Sequence, residues 1–316
     1  MMNETNYSEG STMASITNTA PTPIKCILMA ASGGAKTSSI IPLAIPEIVK
    51  GWSGKKLLVL NFDGSGKFSE LAKIQLDDRL ARKGNGLTSI TQDQYDAAIA
   101  NIDFEDCVDP KKIARDSTGY HANTLSADAW TKAKKTLDKW WQTISTNPSE
   151  CIVVLDSFTH FAYAVANYTM AMNSRLNKVA EGYKDYMPAQ QEIRAGLNAL
   201  VSVPCGLIIT AHQEAYEIKK SSETPERDPE TGEMVFREEV VDSIMLPKSF
   251  GQAGRTDIPS GVNHLLYLTT NKNQQRELRL TPGRGILPKS PYFARAKKSY
   301  DIDKGLVEYF MLGEPK

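Results

Sequence analysis

The feature that most limits what this chain can fold into is a set of short, nearly unbroken apolar runs, each ending on polar residues. They are residues 24–29 (IKCILM), 56–62 (KLLVLNF), 151–155 (CIVVL) and 205–211 (CGLIITA). Runs of this length without alternation read as strands buried on both faces, the pattern of a parallel sheet covered by helices. A small-residue loop follows the first run, then a helical stretch over residues 37–52, then the second run. Strand, loop, helix and strand at that spacing make a βαβ unit. Pro42 and Pro46 are expected to shorten or kink the helix, because proline lacks an N–H and clashes with the preceding turn. The predicted fold class is therefore α/β with a mostly parallel central sheet.

The remaining segments are consistent with that frame. Residues 68–81 have helical periodicity, and 98–107 include a strand candidate within a weakly patterned insertion around 65–125. Residues 126–144 predict a helix with Ser126 and Asp128 as caps and Trp130, Ala133, Leu137, Trp140 and Trp141 as its apolar stripe. Another helix is predicted over 186–201. Beyond Gln213 the pattern becomes alternating, with strand pairs 215–220/234–240 and 262–270/276–280 around turn residues. These predict antiparallel hairpins toward the C-terminus. Residues 1–22 are polar and read as a disordered tail, leaving 23–316 as one domain.

Charge and cysteine usage narrow the function classes. Lys+Arg and Asp+Glu both number 37, which excludes coating of nucleic acid through overall charge but leaves room for a local basic patch. The four cysteines form no C-x-x-C pair, and three lie in or beside apolar runs, as reduced buried thiols do. No run approaches membrane-spanning length, so a cytoplasmic protein without a membrane partner is expected. His121, His160, His212 and His264 have no metal-ligand spacing, and no zinc site is expected. Asp156, Ser157 and His160 are close in sequence but lack the G-x-S-x-G elbow of a hydrolase.

The loop after the first run carries the chemistry. A phosphate loop needs backbone N–H groups facing the anion, a Lys for the β- and γ-phosphates and a Ser/Thr hydroxyl for magnesium. Residues 30–37 read AASGGAKT, so Ser32, Gly33, Gly34, Ala35, Lys36, Thr37 and Ser38 are the candidate cradle for ATP. The motif's two outer glycines are replaced by Ala30 and Ala35. A carboxylate ending an apolar strand holds the magnesium in such enzymes, usually through water; Asp156 fits, with Thr37. Asp63 ends the second run and is the candidate to polarise the attacking water. His212 and Gln213 end the fourth, where a polar side chain can report on the γ-phosphate.

In this order the motifs resemble the RecA family, and most nearly the small phage-encoded RecA-like ATPases that include Sak-type single-strand annealing proteins. CIVVLDSFTHF resembles their magnesium-binding strand, GLIITAHQE their sensor strand and LLVLNFDG the strand that normally ends in a catalytic Glu. The resemblance covers about residues 24–270. It implies a RecA-like P-loop core, ATP and Mg2+ as cofactors, and catalytic roles for Asp63, Lys36, Gln213 and His212. It also implies single-stranded DNA as partner, in phage recombination or annealing in the host cytoplasm, and a ring or filament of copies. DNA-facing candidates in the two relevant loops are Arg175, Lys178 and Lys184, then Lys219, Lys220, Arg227 and Arg237, interleaved with Tyr183, Tyr186, Tyr216 and Phe236. Arg279, Arg284 and Lys289 are candidates to reach a neighbour's site. A replication or packaging motor, and a poorly hydrolysing nucleotide switch or assembly subunit, remain open as alternatives.

Overall fold

The computed structural model describes residues 23–33, 35–47, 54–64, 68–82, 89–116, 119–221, 226–227, 233–235, 238–250, 261–270, 273, 276–279, 288–290, 299–301 and 305–310. The predicted tail, Gly34, Phe236, Arg237 and Arg284 lie outside them.

The chain is α/β with a mostly parallel central sheet. Its strands are β1 (Lys25–Ala30), β2 (Lys56–Asn61), β3 (Ile102–Asp106), β6 (Cys151–Asp156), β7 (Gly206–Ser221), β11 (His264–Thr270), β12 (Arg276–Arg279) and β13 (Ser299–Asp301). They lie side by side in the order β13-β12-β11-β1-β7-β6-β2-β3. Pairing is parallel from β11 across to β3 and antiparallel at β11–β12 and β12–β13. All four apolar runs supply strands of the parallel part, and β6 is buried along its whole length. A strand covered on both faces gains nothing from alternation.

Helices cover both faces. On one, α4 (Ala129–Thr146), α5 (Phe158–Met172) and α6 (Met187–Ser202) enclose Phe62, Trp130, Phe158 and Phe161. Phe161 meets Phe62 and Trp130 edge-on, at ring-centroid distances of 5.4 and 5.2 Å, a favoured aromatic geometry. Here Gly196 of α6 is needed for close approach, since a Cβ would come within 3.0–3.1 Å of Trp130 and Phe161. On the other face, α1 (Lys36–Ile40), α2 (Phe68–Ala81), α3 (Gln92–Ala100) and the short helix Gly305–Phe310 border the second core cluster. As the prolines predict, α1 is cut to five residues and continues only as a 3-10 turn, Ile41–Ala44.

Several expectations need correction. The segments at 205–211 and 215–220 are one continuous strand, β7, whose outer half pairs antiparallel with β10 (Glu238–Pro247). Residues 234–235 belong instead to a separate two-stranded ladder, β9 (Met234–Val235) with β8 (Glu226–Arg227). Neither Ser126 nor Asp128 caps α4 by a side-chain hydrogen bond as N-cap: Asp128 occupies that position with no such bond. Trp141 is exposed, outside the buried stripe of α4. The insertion contains α2, α3, β3 and a hairpin of β4 (Lys111–Asp116) with β5 (Gly119–Thr124) standing off the main sheet.

Candidate functional site

The polar run-ends converge because parallel strands in register bring their carboxyl ends to one edge. Ala30 pairs with His212 across β1–β7, and Asn61 with Asp156 across β2–β6. β7 lies between β1 and β6, so the loop leaving β1 and the carboxylate ending β6 flank one strand. Ligands of open α/β sheets bind at this edge.

Asp156 is buried, and both its oxygens accept hydroxyl bonds. Thr37 Oγ1 donates to Oδ2 at 2.7 Å and Thr210 Oγ1 to Oδ1 at 2.5 Å. Burial pushes the carboxyl's pKa up; the Thr210 and Thr37 bonds oppose this, Asp63 adds to it and Lys36 opposes it. Lys36 is 7% exposed and its Nζ donates to Ala31 O at 3.2 Å. Burial lowers its pKa, and Asp156 and Asp63 partly restore it. The two alanines of the loop differ. Ala30 is an ordinary residue of β1, where a methyl is harmless. Ala35 has φ 60° and ψ 25°, the left-handed region that costs a non-glycine residue about 1–2 kcal/mol. Gly33, at φ 71°, meets no such penalty.

Asp63 is held beside this network by its own backbone: its N–H donates to Asn61 Oδ1 at 3.1 Å and to Asp156 O at 3.2 Å. His160, in the first turn of α5, has Nδ1 3.0 Å from Ser157 Oγ and 4.0 Å from Asp63 Oδ1. The His160 and His212 rings stand nearly perpendicular, 5.6 Å apart. Burial first, then Lys36 and His160, bring the His212 pKa down to about 4, keeping that imidazole neutral near pH 7. Asp63, His160 and His212 line a cleft of about 600 Å3 with Ser32, Tyr163 and Asn167.

Thus Ser32, Lys36, Thr37, Asp63, Asp156 and His212 converge, while Gln213 turns the other way. It lines a separate recess of about 200 Å3 with Ala31, Thr270 and Arg276. Sequence reasoning missed Thr210 and His160. Thr210 looks like any β-branched strand residue, and His160 is placed by the packing of α5, which no motif announces. The absence of metal-ligand spacing among the histidines did not foresee that Asp63, His160 and His212 would meet.

The DNA-facing candidates divide. Arg175 is committed locally, to Glu181 at 2.7 Å and the buried Asp185 at 3.0 Å. Lys178, Lys184 and Tyr183 are exposed, with Lys184 3.3 Å from Glu181. Tyr186 stacks on Phe250 at 4.9 Å, which occupies one ring face. Lys219, Lys220 and Tyr216 are exposed on the outer half of β7; Arg227 lies in β8. Arg279 is half-buried in β12, and Lys289 Nζ donates to Val262 O at 2.7 Å. No helix among the described residues is long and apolar enough to cross a membrane. No protein-family profile matches the chain, and a comparison with curated proteins finds no match.

Proposed function

We propose that this protein is a RecA-like ATPase that binds ATP with magnesium at the loop around Lys36 and Thr37 and acts on single-stranded DNA. The observation that carries the reading is the Thr37–Asp156 bond of 2.7 Å, which joins the loop after β1 to the end of β6 across β7. Two residues 119 positions apart meet as the hydroxyl and carboxylate of a phosphate-loop enzyme must.

The donor set fits the absent ion. A hydroxyl and a buried carboxylate are hard oxygen ligands, which magnesium prefers, together with water and phosphate oxygens. Bound there, that ion would neutralise phosphate charge; Thr37 and Asp156 would hold it, and Lys36 would exchange its contact with Ala31 O for phosphate oxygen. Asp63 would orient the attacking water, with His160 beside it, in place of the longer Glu usual in that role. His212 and Gln213, adjacent in β7, face different sides of the loop, and Gln213 leads directly into the strand that carries Lys219 and Lys220. DNA binding rests on those lysines, Tyr216 and the exposed Lys178, Tyr183 and Lys184.

Titration with a fluorescent ATP analogue tests the loop. Lys36→Ala is expected to weaken binding at least about 100-fold, since nothing nearby replaces the ammonium of a charge-assisted contact, while the far-UV spectrum is retained. Equal affinity in the folded variant overturns the site. Turnover with and without single-stranded DNA tests the rest: stimulation supports the reading, a response to duplex alone favours a motor, and binding without turnover makes the chain a switch or assembly subunit.

A further inference from the structure

Asp63, His160 and His212 come from three elements, the end of β2, the first turn of α5 and the middle of β7. One donor atom from each lies within 4.8 Å of the other two. Three such atoms sit at most about 2.8 Å from a common centre, against about 2.0–2.1 Å for a zinc–imidazole bond. Closing the set onto an ion needs each donor to move inward by about 0.7 Å. From this geometry we infer that Asp63, His160 and His212 form a binding site for a borderline divalent metal ion of the zinc class.

Two further observations support the site, the unpartnered His212 nitrogen and the open cleft. His212 Nε2 is buried and has no hydrogen-bond partner, so this imidazole has a ring nitrogen with no protein contact to break on ligation. His160 Nδ1 lies 4.0 Å from Asp63 Oδ1 and 3.0 Å from Ser157 Oγ, so an ion taken up at this nitrogen exchanges the serine contact for the metal. The cleft of about 600 Å3 leaves the side opposite the protein open, as a three-ligand site with an exchangeable fourth position requires.

The donor chemistry separates this site from the one at Thr37 and Asp156. Two imidazoles and one carboxylate select zinc, cobalt or manganese over magnesium, whereas a hydroxyl and a carboxylate do the reverse. Both share a cleft edge that carries Asp63, Asp156 and Lys36, with Lys111 also in the cleft lining. Asp63 bound to such an ion cannot also orient water, so occupancy and hydrolysis compete for one carboxylate.

The test uses the full chain, stripped with chelator and free of nucleotide, so that its outcome does not depend on whether the loop binds ATP. Co2+ is titrated in by visible absorption. The expected result is one ion per chain with the weak d–d bands of nitrogen and oxygen ligands, displaced by Zn2+. His212→Ala and His160→Asn are each expected to weaken Co2+ by more than 100-fold. His160 is 42% exposed at its side chain, so its variant stays testable if His212→Ala does not fold. No binding, binding that survives His160→Asn, or an intense near-ultraviolet thiolate band from the cysteines would each overturn the site.

Discussion

β7 is two strands in one. Its inner half, from Leu207 to Ala211, is buried between β1 and β6 and paired parallel on both sides. Its outer half, from Gln213, has β10 as its paired neighbour, and Ala215 to Lys220 are all exposed. The inner half is held by burial on both faces, at roughly 25 cal/mol per Å2 of apolar surface. The outer half is held by a backbone ladder and cross-strand pairs, each contributing only about 0.2–1 kcal/mol. The buried floor thus fixes the residues beside the cleft, and the exposed arm carries the charges and the aromatic assigned to DNA in the proposed function. His212 and Gln213 mark the change.

The largest effect should separate the two halves. Asp63→Asn, at the floor, is expected to lower kcat by at least about 100-fold, the low end for a residue that handles the nucleophile's proton, with nucleotide affinity and DNA affinity unchanged. Steady-state kinetics with a parallel nucleotide titration checks it. A variant that turns over like the parent removes Asp63 from the chemistry. Gln213→Ala acts at the junction and should cost less. ATP binding is retained, but any preference for DNA in the ATP-bound over the ADP-bound state falls by about 5–150-fold, the usual range of a coupling energy. Its place beside Ala31 and Arg276, away from Asp63, makes the coupling run through the loop backbone. DNA affinity measured with an ATP analogue and with ADP decides between Gln213 and His212 as the relay.

The two halves also differ in how readable they were. Inner strands announce themselves because continuous apolar runs have few other places to go, and the polar residue ending each run follows from register. The link between β7's halves was not legible, since Ala211-His-Gln-Glu214 breaks the apolar run and looks like a loop. Pairing of Ala211 with Met29 and His212 with Ala30 on one side, and of Gln213 with Pro247 and Glu214 with Leu246 on the other, keeps it extended. α5 was hidden for the opposite reason: residues 158–171 are mostly apolar or small, and His160, Tyr163 and Asn167, which line the cleft, make only a narrow polar stripe. With α5 unread, His160 had no address. Thr210 was unreadable because nothing in a strand pattern says that one hydroxyl points at a carboxylate 54 residues away.

On the arm, Lys219→Ala and Lys220→Ala test the assignment to DNA. Each removes one charge from an exposed strand. Each should lower the slope of log K against log salt for single-stranded DNA by about 0.7 for every phosphate no longer neutralised, with ATP turnover in the absence of DNA unchanged. A loss of affinity that is the same at every salt concentration would assign these lysines to the fold of the arm instead of to phosphate.

The smallest expected effect asks whether the floor carries strain that the arm does not. Ala35 lies at φ 60° immediately before Lys36, and its methyl crowds the backbone there, which glycine avoids. Ala215, in the arm, occupies a regular antiparallel ladder opposite Met245, where glycine only adds freedom to the unfolded chain. The same substitution should therefore act with opposite signs. Ala35→Gly is expected to stabilise the protein by about 1 kcal/mol, because the relief of left-handed strain outweighs the added chain entropy; for a chain of this size that raises Tm by about 2 °C. Ala215→Gly is expected to lower stability by about 0.5–1 kcal/mol. Thermal unfolding of both variants beside the parent, without nucleotide, checks the pair. A lower Tm for Ala35→Gly would mean that the half-buried methyl packs usefully against the loop, and that alanine at this position is an adaptation of the fold instead of a tolerated cost.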